Sequence, residues 1–156
     1  MTRRTLHTAR RTALVAALAL TAGLTLAACD SGGGAPHLKV SEPYMPQPVT
    51  EDMAGAFFVV KNTGDTADKL TSVTSSLSKD VTIHKTVGTK MEQVSSLKVP
   101  ANGELRLARG GYHLMFMGLK HKPVKGDKVT LELHFATSSP IRVDVPVKAT
   151  DYVPGK

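Results

Sequence analysis

Cysteine occurs once in these 156 residues, at position 29, and tryptophan not at all. A single thiol excludes an internal disulfide and any site needing several thiolates. Aromatic residues make up only 4 % of the chain, and its 20 lysines and arginines are interspersed with 13 acids. A nucleic-acid surface needs a concentrated basic face with stacking aromatics, and the sequence has neither. Long apolar runs are also missing. The apolar run of residues 13–26 is too short to cross a bilayer and stay there. Beyond residue 29 there is no amphipathic helical period, no internal repeat and no glycine-rich phosphate loop. No Ser/His/Asp grouping is visible, so a hydrolase is not indicated.

The N-terminus is the first thing that is present. Arg3, Arg4, Arg10 and Arg11 precede the apolar run, which ends in Leu26-Ala27-Ala28-Cys29. This is the layout of a signal peptide over residues 1–28. Leu-Ala-Ala-Cys resembles the bacterial lipobox, in which cleavage precedes the cysteine and that residue is lipidated. Cys29 is therefore the expected lipidation site, on the outer face of the cytoplasmic membrane. The general secretory route is expected, because Thr12-Ala13-Leu14 after Arg10-Arg11 matches twin-arginine export poorly. Losing four arginines and no acids leaves a mature charge of about +3. With Cys29 lipidated, no thiol remains for a disulfide, a zinc-thiolate site, a blue-copper centre or a nucleophile. Residues 29–37 form a Ser/Gly-rich tether, residues 38–150 the domain and residues 151–156 a tail.

The domain reads as a series of short strands. Expected strands cover residues 38–44, 53–61, 69–76, 81–84, a return strand from Met91 toward Val94 and Leu97, then Leu105 to Leu107. Three more follow: residues 110–117, Val129 to Phe135 with strict alternation, and Ile141 to Val145. Residues 45–52 and 120–128 read as loops. In Asn62-Thr63-Gly64-Asp65 the glycine is expected to supply a positive φ. The fold class is all-β, a Greek-key β-sandwich with no tryptophan in its core. A domain of roughly 115 residues can bury such a core without disulfides.

One stretch carries chemistry: Gly110-Gly111-Tyr112-His113-Leu114-Met115-Phe116-Met117-Gly118-Leu119. On a strand His113, Met115 and Met117 share a face, with Leu114 and Phe116 on the other. An imidazole and thioethers on one face suit Cu(I), whereas methionine in a core usually just fills gaps. His84 and Met91 flank an expected hairpin turn, and a sandwich gathers its strand ends. His84, Met91, His113 and Met115 could then meet at one end of the fold. Met117 reads as packing or support behind the ligands, and Met45 and Met53 as packing or, second, as lining of the site entrance. His121 reads as a weak ligand or a solvated loop residue, and His134 as surface. Lys120, His121, Lys122 and Lys125 make a basic cluster that is either a solvated loop or a docking patch for an acidic partner.

With these residues in place, the sequence resembles the PCuAC family of extracytoplasmic copper chaperones. Twenty-one residues separate Met91 from His113-x-Met115, as in the family pattern. Asn62-Thr63-Gly64 and the Gly126-Asp127 turn are also similar, and the resemblance spans roughly residues 38–147. The spacer from His84 to Met91 is six residues against about ten in the family, which a shorter hairpin accommodates. The His/Met-rich tail of some members is missing. The resemblance implies a cupredoxin-like or immunoglobulin-like sandwich, a monomer holding one Cu(I) on His84, Met91, His113 and Met115. It implies delivery toward the copper A site of cytochrome c oxidase subunit II, alone or with a Sco-type protein. A cell-surface adhesion or solute-binding lipoprotein without metal is the alternative. A copper oxidase ranks last, because four protein ligands leave no open position for substrate.

Overall fold

Alternating apolar and polar residues drive this chain into strands, and every regular element in residues 34–155, which the computed structural model describes, is a β-strand. Ten are present there: β1 (Leu38–Pro46), β2 (Met53–Asn62), β3 (Asp68–Ser75), β4 (Asp80–Val87), β5 (Lys90–Gln93), β6 (Leu97–Val99), β7 (Gly103–Arg106), β8 (Tyr112–Met117), β9 (Lys128–Phe135) and β10 (Ile141–Lys148). In β9 the period is strict, with Val129, Leu131, Leu133 and Phe135 buried and the residues between them half-buried. The signal segment, Cys29 and most of the tether lie outside the described residues. Among those described, no helix is long and apolar enough to cross a membrane.

The strand order is β5-β4-β8-β2-β1-β10-β9-β3-β6, with β7 also pairing β2. The bend between layers falls in β1. Its first part runs antiparallel to β2, and Met45 and Pro46 then pair in parallel with Val147 and Lys148 of β10. The ladder shifts register between Ser41 and Tyr44, where Glu42 has a φ of 51°. Such a bulge lets one strand serve two layers. Phe58, Val60, Leu70, Phe116, Leu131 and Leu133 fill the core between them. The all-β expectation agrees with this architecture.

Three local details differ from the sequence reading. The first strand reaches Pro46, and Met45 is completely buried, because its parallel pairing with Val147 points it into the core. The return strand divides in two. β5 pairs β4, whereas β6 pairs β3, so residues between them carry the chain from one layer to the other. Finally, the φ of Gly64 lies outside the left-handed region. Its glycine is required by close approach, since an added Cβ would lie 2.1 Å from the Ala35 carbonyl oxygen. That approach is organised by buried Asn62, whose Oδ1 accepts from the His37 N–H at 3.0 Å and the Gly64 N–H at 2.9 Å. Its Nδ2 donates to the Thr66 carbonyl at 2.8 Å.

Candidate metal centre

The antiparallel ladder between β4 and β8 sets Asp80 opposite Met117, Thr82 opposite Met115, and His84 opposite His113. On the other side of β8, Met53 of β2 lies opposite Met117 and Gly55 opposite Met115. On the edge, Met91 of β5 faces Thr86. Directly paired residues share a face, so His84, Met91, His113, Met115, Met117 and Met53 all belong to one side of this sheet. Ile83, Leu114 and Phe116 occupy the other side and are buried in the core. Core burial of those three residues thus fixes which way the imidazoles and thioethers point.

The two imidazoles form the centre of this face. Their ring centroids are 5.7 Å apart and the planes are inclined by 29°. Nδ1 of His113 lies 3.0 Å from the Gly111 carbonyl oxygen. A carbonyl can only accept, so Nδ1 carries the proton and the Nε2 lone pair of the neutral ring is free. Nε2 of His84 lies 3.0 Å from the Thr82 hydroxyl. His84 Nδ1 and His113 Nε2 are buried without a hydrogen-bond partner, a condition shared among the described residues only by Ser138 Oγ. A buried unpaired polar atom costs about 1–3 kcal/mol, a penalty that a bound cation removes. Burial, and then the neighbouring His113, lower the pKa of His84, with Asp80 acting in the opposite sense. His84 is therefore held as the neutral imidazole, the form that binds metal.

Of the expected ligands, the fold brings His84, His113 and Met115 into adjacent rows of one sheet face, where His113 is buried and His84 and Met115 are half-buried. Met91 is on the same face one row beyond the imidazoles, on a short edge strand, and is 60 % exposed. Met117 is exposed and one row beyond Met115 in the opposite direction. His121 is exposed on the segment between β8 and β9 and belongs to no strand. His134 lies on β9 in the other layer, 3.5 Å from Glu132 and 3.3 Å from the Thr74 hydroxyl. In the basic cluster, Lys122 donates to the Val49 carbonyl at 2.9 Å and so holds a loop.

Three contributors escaped the sequence reading. Thr82 supports His84, and its place two residues earlier on the same strand was a usable signal. The Gly111 carbonyl sets the His113 tautomer, which no side-chain pattern reveals. Gly55 leaves an opening beside Met115, where an added Cβ would make only ordinary contacts, at 3.6 Å to the Leu114 carbonyl oxygen and 3.8 Å to the Phe57 ring. That opening is continuous with a trough of about 300 Å³ lined by Pro46, Val49, Met53, Phe57 and Met115. Two imidazole nitrogens without hydrogen-bond partners, on the same face as a thioether, form a soft-to-borderline donor set, which fits Cu(I).

Comparison with known proteins bears on the family and the fold. Residues 38–147 match the family described as "Putative lipoprotein LpqE-like". The chain is 40 % identical over 101 residues to "Putative lipoprotein Lxx21020" of Leifsonia xyli subsp. xyli, a match spanning 62 % of this chain and 61 % of that one. Among solved structures, the copper-bound PCuAC domain from PmoF2 is similar with a TM-score of 0.63 at 21 % identity, covering 74 % of this chain and 98 % of the domain. The solution structure of CuI-DR1885 from Deinococcus radiodurans is similar with a TM-score of 0.63 at 24 % identity, over 78 % of this chain and 85 % of that one. These structural likenesses establish a shared fold.

Proposed function

Because this chain belongs to the LpqE-like lipoprotein family and has the PCuAC fold, we propose that it is an extracytoplasmic copper chaperone, anchored through lipidated Cys29 to the outer face of the cytoplasmic membrane. Its cargo is one Cu(I), held by His84, Met91, His113 and Met115. The observation that carries this reading is the facing pair of imidazoles, each with a buried nitrogen lacking a partner. The copper-bound PCuAC domain from PmoF2 and CuI-DR1885, which share this fold, support it.

The residues divide the work. His113 and His84 supply neutral nitrogen ligands, oriented by the Gly111 carbonyl and the Thr82 hydroxyl. Met115 and Met91 supply thioethers, which favour Cu(I) and survive outside the cell where thiols oxidise. A site on an outward face can pass its ion to a partner one ligand at a time. Delivery runs toward the copper A site of cytochrome c oxidase subunit II, alone or with a Sco-type protein. Tethering in the same membrane as the recipient raises their effective concentration.

Anaerobic titration with Cu(I) against a chromophoric chelator tests the reading, with a His113→Ala/Met115→Ala variant alongside. Uptake of one tight equivalent by the parent and its loss in the variant are expected. If neither protein competes with the chelator, the face is packing, and the fold serves a surface-binding lipoprotein.

A further inference from the structure

The donor face does not end at Met115. The next row along the sheet is Met53, Met117 and Asp80, three residues joined side by side through β2, β8 and β4. Met53 is 42 % and Met117 38 % exposed, in a chain with six methionines altogether. Met45 shows what a packing methionine looks like here, since it is completely buried. Side chains directly opposed across antiparallel strands stand about 5 Å apart at Cβ, and the next row on the same face lies about 7 Å away. Long thioether side chains span both gaps. Between Met53 and Met115 the sheet carries only Gly55, so no side chain separates the two rows on β2. The row is also held firmly: the Ser78 hydroxyl accepts the Asp80 N–H at 2.9 Å and donates to the Met117 carbonyl.

We propose that Met53, Met117 and Met115 form a second, all-thioether Cu(I) position at the outer end of the face, sharing Met115 with the imidazole site. The inference rests on the copper-chaperone reading. Three thioethers are a donor set selective for Cu(I). Asp80 adds a negative charge at the mouth, while Lys79 and Lys120 border the same opening as Met117 and make cation binding there the weaker of the two. The position is thus an entry and exit station. Passage between the two positions is ligand exchange at constant oxidation state. The Met115 sulfur stays bound while the copper–sulfur bond to Met91 and the copper–nitrogen bonds to His84 and His113 break and copper–sulfur bonds to Met53 and Met117 form, which takes the ion from four ligands to three with no electron transferred.

The test uses the protein labelled at its methionine methyl groups, titrated anaerobically with Cu(I) while methyl and imidazole resonances are followed. A Met53→Leu/Met117→Leu variant runs alongside; this swap conserves volume at exposed positions and preserves the fold. The first equivalent is expected to move His84, Met91, His113 and Met115. The second moves Met53 and Met117 and leaves Met45 still. The double variant should keep the first equivalent at unchanged affinity and lose the second. A second equivalent that leaves Met53 and Met117 unmoved, or that the variant still binds, overturns the outer position. Movement of Met53 and Met117 without any imidazole response upholds the thioether position and instead overturns the imidazole site, so the two failures are separable.

Discussion

At the scale of single residues, the site depends on which nitrogen of each imidazole is free. The Gly111 carbonyl decides this for His113, and the Thr82 hydroxyl holds His84 at the opposite ring nitrogen. Second-contact partners of this kind usually change metal affinity by about 10–100-fold. Thr82→Val keeps the shape and β-preference of the residue but removes its hydroxyl. Cu(I) affinity is expected to fall by about tenfold, with thermal stability little altered, as checked by chelator competition and a melting curve. An unchanged affinity would show that the ring of His84 is positioned by packing alone. Little of this was legible in the sequence. His113-x-Met115 is visible as a pattern, but a backbone carbonyl has no letter of its own.

At the scale of elements, β9 follows directly from alternation, and β8 follows it through Leu114 and Phe116, although His113 on its other face is buried as well. What alternation cannot give is the neighbour of each strand. Placing His84 opposite His113 requires β4 and β8 to pair across the intervening β5, β6 and β7, a long-range choice made by the whole core. The same limit explains why residues from Met91 to Leu97 read as one strand. Local pattern does not record that β5 and β6 serve different layers. The start of β1 depends on an equally non-local device, the buried Asn62 amide joining His37, Gly64 and Thr66. Asn62→Ala removes all three bonds and leaves the two N–H groups without their acceptor. It is expected to cost about 2 kcal/mol or more in denaturant unfolding, with Cu(I) affinity in the folded protein unchanged. A stability loss below about 0.5 kcal/mol would show that water replaces the amide fully.

At the scale of the molecule, stability toward acid should be governed by Asp68, a buried carboxylate at the start of β3. Burial alone would raise its pKa. Hydrogen bonds from the Ser138, Lys69 and Thr137 N–H groups outweigh that and lower it to about 2. The carboxylate form is therefore favoured in the native state. Its contribution is complete above the unfolded pKa near 4 and disappears as pH falls toward 2, amounting to about 2 kcal/mol. Asp68→Asn should flatten the fall in unfolding free energy between pH 5 and pH 2 by about that amount. An equally steep acid limb in the variant would move the effect to other carboxylates.

The edge position of β5 has a consequence for timing. All four of its residues are exposed, and β4 is its sole strand neighbour, supported by the exposed Lys85–Glu92 ion pair at 3.1 Å. A solvated pair of that kind adds little, so this strand can fray without disturbing the ladder beneath His84 and His113. Met91 would then detach on the clock of a local opening, whereas the imidazoles remain fixed until the sheet itself yields. On the proposed ligand set, the release of the ion would then begin at β5, and changes in that strand would alter its residence time while leaving the imidazole pair on β4 and β8 in place.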